Sequence, residues 1–329
     1  MLIESYFPEQ RYTNQDIEKD FPEWNASKIE SKVGIFSRNV AAPGETALDL
    51  AEKACVRLFD ANPEVRDRID YLLFCTQSPD YILPGNASLL QHRLGLSTSI
   101  GALDYNLGCS GYVYGLSLAK GLLSAGIAGN ILLVTAETYT KRLHPLDKGN
   151  RSIFGDAATA TCLTRDDLNR IGEFVLGTDG SGAQNLIIRN GGARNPVQSE
   201  PELRMYGSNN QYTDNDLFMD GPEIFNFTIE SVPPMITEVL TKNKVEKEEI
   251  RYFVFHQANA YILNFLRKLY GIPKDRFYLD MAATGNTVSN TIPVALSELI
   301  RTGRIRHGDK VAIAGFGVGY SYGATVLTI

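Results

Sequence analysis

The chain has 329 residues, 43% of them hydrophobic and 21% charged, with a net charge of −6. That composition supports a large globular core and argues against a general nucleic-acid binder. No apolar run approaches the ~20 residues of a membrane span, and Met1-Leu2-Ile3-Glu4-Ser5-Tyr6 lacks the basic-then-apolar layout of a signal peptide. Cys55, Cys75, Cys109 and Cys162 stand far apart with no CxxC pair, so neither a metal site nor a disulfide framework is expected, and a reducing cytoplasm fits.

Tyr71 to Thr76 reads as a buried strand, and Pro84 to Leu94 as the start of a helix. The apolar stretch Ile100 to Leu107, the turn around Cys109, and the small- and leucine-rich segment Tyr112 to Ala125 predict strand, tight turn and helix. Asn130 to Ala136 is another buried strand. Phe154 to Leu163 alternates small residues and suits a strand that other backbone approaches closely. Arg189 to Asp220, rich in Asn, Gly, Asp and Pro, reads as an irregular excursion: a lid, a pocket wall or a plain surface loop. Helical periodicity returns from Gly221 to Lys242, with Ile224, Phe225, Ile229, Ile236 and Leu240 near one face. Tyr252 to Phe255 and Lys310 to Ala314 repeat the buried-strand pattern. Strands alternating with helices predict an α/β chain with parallel sheet covered on both faces. Ala158 to Leu163 echoes Ala324 to Leu327, and Cys109 and His256 sit at comparable strand-to-helix junctions. A duplicated unit is expected, divided into residues 1–167 and 168–329.

Three polar residues carry the chemistry. Cys109, in Asn106-Leu107-Gly108-Cys109-Ser110-Gly111, is predicted in the first turn of a helix, where unpaired N–H groups and the helix dipole favour thiolate. His256 closes an apolar strand in His256-Gln257-Ala258-Asn259, and Asn286 lies in the Gly-bearing turn Thr284-Gly285-Asn286-Thr287. Singly, each has a bland reading: a small core hydrophobe, a structural histidine, a turn asparagine. Together they supply a nucleophile, a hydrogen-bond partner and an oxyanion donor.

These motifs, with Ile153-Phe154-Gly155-Asp156-Ala157 and Gly315-Phe316-Gly317-Val318-Gly319-Tyr320-Ser321-Tyr322-Gly323, resemble the β-ketoacyl-acyl-carrier-protein synthase III family of the thiolase superfamily. The resemblance runs from about Thr13 to the C-terminus. It implies a thiolase-like five-layered α-β-α-β-α fold of two similar halves, a homodimer, and a Cys109-His256-Asn286 active site. Cys109 would take an acyl starter from coenzyme A as a thioester. His256 and Asn286 would hold the malonyl thioester of an acyl carrier protein as carbon dioxide leaves, and the carbanion would attack acyl-Cys109. The backbone amides of Cys109 and Val318 would serve the tetrahedral step. No cofactor or metal is implied. Asp156 reads as structural, holding loop backbone.

The chain departs from the family at the substrate entry. Lys28 and Lys32 stand at the Trp-like and Arg-like places before Val33-Gly34-Ile35, and Lys148 replaces an arginine that stacks on adenine; lysine stacks poorly. Phe225 and Asn259 complete the expected substrate contacts, and Pro222 replaces an asparagine. Tyr261 replaces the arginine that meets the carrier protein, leaving Arg267 and Lys268 on the same helix. Leu83 matches a residue that reaches across the dimer to close the acyl pocket; its bland reading is core packing. The starter thus arrives on coenzyme A or on a carrier protein. The reaction is condensation, or else acyl transfer from Cys109 to an oxygen or nitrogen nucleophile. A non-catalytic partner subunit would have lost the cysteine, and the flanks of Cys109 and His256 do not resemble a papain-like protease.

Overall fold

Runs such as Tyr71–Cys75 and Asn130–Glu137 carry apolar residues on both faces, so they need cover on both sides, and they pair in parallel inside a sheet. The computed structural model describes residues 1–329, and that first sheet runs Leu2–Tyr6, Ala157–Thr164, Asn130–Glu137, Tyr71–Cys75, Gly101–Tyr105. A second sheet runs Ile250–Phe255, Lys310–Gly317, Ser321–Thr328, Ile171–Thr178.

The two sheets share one plan. In the first, Tyr71–Cys75 is parallel to Asn130–Glu137, and Ala157–Thr164 and then Leu2–Tyr6 follow antiparallel. In the second, Ile250–Phe255 is parallel to Lys310–Gly317, and Ser321–Thr328 and then Ile171–Thr178 follow antiparallel. The fifth strand of the first sheet, Gly101–Tyr105, has only a remnant in the second, a parallel bridge between Phe253 and Phe277. The echo between Ala158–Leu163 and Ala324–Leu327 is therefore topological: both segments hold the same place in their sheets.

Helices make the other three layers. Ala47–Ala61, started by the Thr46–Asp49 capping box, covers the outer face of the first sheet with Asn86–Arg93. Gly111–Ser124 and Thr291–Arg301 lie between the sheets, where Tyr112, Leu116, Ile292 and Leu296 share one core with Leu73, Leu133, Val254 and Ile313. Gly221–Asn243 and Ala260–Leu269 cover the outer face of the second sheet.

The structure adds one strand and changes two expectations. Leu2–Tyr6 is an edge strand, which its polar alternation hid. The strand expected from Phe154 begins at Ala157, because Phe154 instead bridges to Asn286. The Arg189 to Asp220 segment is ordered. Arg204–Tyr206 pairs with Asn210–Tyr212, Phe218–Met219 pairs with Leu186–Ile187, and Tyr206, Tyr212 and Phe218 cluster ring to ring at 4.9–5.6 Å. Tyr206 donates to Asp147 at 2.7 Å, which docks the hairpin on the short helix Lys148–Arg151.

Candidate active site

The turn after Gly101–Tyr105 delivers Cys109 one residue ahead of Ser110, the N-cap of the helix Gly111–Ser124. Its neighbour across the turn is the glycine-rich junction of the last two strands. A Cβ added to Gly317 would lie 2.8 Å from the Cys109 Sγ, so only glycine lets that backbone approach the sulfur. The same segment is both a tight strand connection and a wall of the site. Ser110 and Ser321 hydroxyls pin the two turns together at 2.6 Å.

Cys109 is buried, and burial, with Glu137 nearby, pushes its thiol up to about 12. The backbone amides of Cys109 and Val318 pull the other way and lose. This corrects the expectation of a resting thiolate. Cys109 precedes the helix rather than lying in its first turn, and desolvation outweighs the donors.

His256 ends Ile250–Phe255, its amide donating to the Ala314 carbonyl at 2.7 Å as the parallel ladder runs out. Its ring is buried, which lowers its pKa to about 3, so the imidazole is neutral. Asn286 sits beyond Gly285, whose φ of +74° makes the turn. The Asn286 amide donates to the Ile153 carbonyl at 2.9 Å, and its carbonyl accepts from Gly155 at 3.0 Å. The Val288 amide donates to Asn286 Oδ1 at 2.9 Å, which leaves Nδ2 facing His256 Nε2 at 3.5 Å. Asp156 accepts from the amides of Ala41 and Thr140 and from the Thr140 hydroxyl, bonds that tie loop backbone. The correspondence expected between the Cys109 and His256 junctions shifts. In the shared plan, Cys109 precedes the helix that leads to Asn130–Glu137, and the matching helix in the second half, Thr291–Arg301, follows Asn286.

Glu137 was missed in the sequence. It is fully buried at the end of its strand, and burial raises its pKa to about 8. It accepts from the Gln77 amide at 3.1 Å, from Ser78 at 2.9 Å and from Ser289 at 3.2 Å. Ser289 belongs to the turn after Asn286, and Gln77 packs beside Gly108, so one carboxyl braces the loops of both Cys109 and Asn286. An acidic residue closing an apolar strand was the available signal.

Cys109, His256 and Asn286 line one cavity of about 350 Å³. Its walls include Phe154, Leu186, Met219, Ile224, Phe225 and Phe316; Pro222, Asn259 and Tyr261 also line it. Leu217 of the excursion packs with Cys109, Tyr139, Phe154 and Leu186, so the excursion is a pocket wall. Asn259 also caps its helix, accepting from the Ile262 amide at 2.9 Å. Other expected contacts lie elsewhere. Lys28 and Lys32 are exposed on the helix Ala26–Val33, outside the cavity lining. Lys148 is buried and bound to Glu23 at 2.7 Å, so its charge is committed within the chain. Arg267 turns inward to the Ile272 carbonyl at 3.1 Å, which leaves Lys268 as the exposed cation of that pair. Leu83 is 80% exposed, so it is neither core nor part of this chain's cavity.

Residues 103–180 match the family described as 3-oxoacyl-[acyl-carrier-protein (ACP)] synthase III, and residues 240–329 match its C-terminal region. A beta-ketoacyl-[acyl-carrier-protein] synthase III 2 from Halalkalibacterium halodurans is 35% identical, covering 99% of this chain and 94% of its own. A beta-ketoacyl-[acyl-carrier-protein] synthase III from Caldanaerobacter subterraneus subsp. tengcongensis is 33% identical, covering 98% and 95%. A crystal structure of a 3-oxoacyl-(acyl-carrier-protein) synthase III superposes with a TM-score of 0.97 at 46% identity, covering 99% of this chain and 98% of that one. The priming beta-ketosynthase of the R1128 polyketide pathway superposes at 0.86 with 26% identity, covering 100% and 95%.

Proposed function

We propose, since the chain belongs to the 3-oxoacyl-[acyl-carrier-protein] synthase III family, that Cys109, His256 and Asn286 carry out its reaction. The chain is a thiolase-fold transferase that condenses an acyl starter with malonyl-acyl-carrier-protein, releasing carbon dioxide. The observation that carries the assignment of residues is the convergence of one thiol and two neutral donors on a single apolar cavity.

Cys109 sulfur attacks the starter thioester; the carbon–sulfur bond to the carrier breaks, and the thiol proton ends on the departing thiolate. The amides of Cys109 and Val318 hold the oxyanion of that step. Malonyl thioester then loses carbon dioxide, and the electron pair of the broken carbon–carbon bond becomes an enolate. Its oxygen lies between His256 Nε2 and Asn286 Nδ2, neutral donors that stabilise the charge without quenching it. The carbanion attacks acyl-Cys109, a new carbon–carbon bond forms, and the sulfur leaves with its electron pair and takes a proton from solvent, the one proton the overall reaction consumes.

Thioester substrates enter beside Phe225, Asn259 and Tyr261, with Lys28 and Lys32 on the neighbouring helix; Gly34 packs against Ala260 there. The carrier-protein contact belongs to the exposed stripe Tyr261, Phe265 and Leu269 with Lys268. A second copy of the chain completes the acyl pocket through Leu83. Supporting this are the free edge strand Gly101–Tyr105, with Leu103 46% exposed, and the loop Tyr81-Ile82-Leu83, at 60%, 94% and 80%. Leaving such side chains in water forfeits about 1.5–3 kcal/mol each. The halves divide at residues 167 and 168, between the two sheets. A cytoplasmic setting agrees with four unpaired cysteines, and no helix is long and apolar enough to cross a membrane. The starter serves fatty acid initiation or a specialised pathway.

The test is intact mass after incubation with a panel of acyl-coenzyme A and acyl-carrier donors, followed by carbon dioxide release from malonyl-carrier protein. A mass gain that depends on Cys109, then carbon dioxide and a β-ketoacyl product, is expected. Acyl-Cys109 without carbon dioxide would instead support transfer to an oxygen or nitrogen nucleophile.

A further inference from the structure

A neutral histidine donates from Nε2 only if its Nδ1 carries no hydrogen, and the partner of Nδ1 decides that. Here the partner is the Thr291 hydroxyl, 2.8 Å from Nδ1. Thr291 is buried at the start of the helix Thr291–Arg301, so no bulk water competes for it. Its single hydrogen has two acceptors in reach, His256 Nδ1 at 2.8 Å and the Val288 carbonyl at 3.1 Å. The second distance is beyond the usual 2.5–3.0 Å range of an O–H···O bond, and the first is an ordinary strong contact. The shorter contact favours Nδ1 as the acceptor; with the ring hydrogen on Nδ1 instead, the hydroxyl would accept from the ring and give its own hydrogen to the Val288 carbonyl. On the other side of the ring, the Val288 amide has already fixed Asn286 with its NH2 toward Nε2. At 3.5 Å those two nitrogens are too far apart for a good bond to each other and suit two donors aimed at a third atom.

We propose that Thr291 is a positioning residue that sets the tautomer of His256: its hydroxyl donates to Nδ1 and so keeps the ring hydrogen on Nε2, where the malonyl thioester oxygen needs it. Val288 and Thr291 together then present two hydrogens, one from Asn286 and one from His256, to one point. Without the hydroxyl, the Val288 carbonyl that faces the ring is the remaining acceptor. The ring hydrogen moves to Nδ1, and a lone pair faces the enolate. This inference rests on the condensing role of His256 given above.

The experiment uses protein labelled with 15N-histidine. There are four histidines, and His256 is the buried one, assigned by its loss in His256→Ala. Wild type is expected to show Nε2 as the protonated nitrogen. Thr291→Val, nearly the same shape, is expected to show the Nδ1-protonated form and to release carbon dioxide from malonyl-carrier protein about 10²-fold more slowly, with kcat changed more than KM. Thr291→Ser restores the hydroxyl and is expected to restore both. Wild type with the hydrogen on Nδ1 overturns the proposal, whether or not Thr291→Val folds. So does a Thr291→Val protein with an unchanged tautomer. Absence of carbon dioxide release from wild type would instead strike the condensing reading, while the tautomer measurement stands apart from it.

Discussion

The two halves share one sheet plan and use it for opposite chemistry. In the first, the turn before the middle-layer helix Gly111–Ser124 presents a thiol. In the second, the turn before Thr291–Arg301 presents an amide, and the end of Ile250–Phe255 adds an imidazole. Burial then treats the two sets alike. It raises the acids, Cys109 to about 12 and Glu137 to about 8, and lowers the base, His256 to about 3. Near pH 7 every one of them is neutral. In the proposed reaction, such a site would act through directed hydrogens of buried neutral groups rather than through stored charge.

Removing the first half's contribution has the largest effect. Cys109→Ala is expected to abolish acyl loading, read as complete loss of the mass gain. A smaller loss would mean that another nucleophile takes the acyl group. Removing the second half's contribution separates the steps. His256→Ala is expected to load normally and to release carbon dioxide about 10²–10³-fold more slowly. Equal loading defects in His256→Ala and Cys109→Ala would erase the division of labour between the halves.

A pH experiment sharpens the comparison. Glu137 holds its proton up to about pH 8 in the fold and to about 4.5 when unfolded, so the native state loses stability as pH rises between those values. His256 acts in the other direction: folded at about 3 and unfolded at 6.5, it makes stability rise over that window. Glu137→Gln is expected to flatten the decline between about pH 6.5 and 8, an effect on the order of 1–2 kcal/mol, read from Tm against pH. A decline that survives the substitution would assign it to other groups. The smallest effect is on selectivity. Leu83→Phe is expected to shift preference toward shorter starters, and an unchanged chain-length profile would remove Leu83 from the pocket.

Much of this was legible in sequence because buried strands and glycine turns leave strong local marks. The strands Tyr71–Cys75 and Asn130–Glu137, the helix Gly111–Ser124 and the turns that carry Cys109 and Asn286 were all visible. Leu2–Tyr6 and Ile171–Thr178 were not, since outer strands alternate polar and apolar residues and resemble loops. The matching of Cys109 with His256 failed because spacing along a chain does not show which turns meet in the shared plan. Ser289 and Thr291 carry no local signal at all: a hydroxyl looks the same in sequence whether it faces water or a ring nitrogen. The excursion to Asp220 looked structureless because its order comes from tertiary bonds such as Tyr206 to Asp147.

The close approach of Gly317 to the Cys109 sulfur, and the bridge between Phe154 and Asn286, bear on how this architecture divides. The Val318 amide, from the last turn of the chain, faces the Cys109 sulfur of the first half. Ile153 and Gly155, from the first half, hold the asparagine of the second. In the proposed reaction, each step would therefore draw on backbone from the opposite half. A chain cut between residues 167 and 168 would give two fragments that are inert apart, including for acyl loading, and that regain turnover only on reassembly.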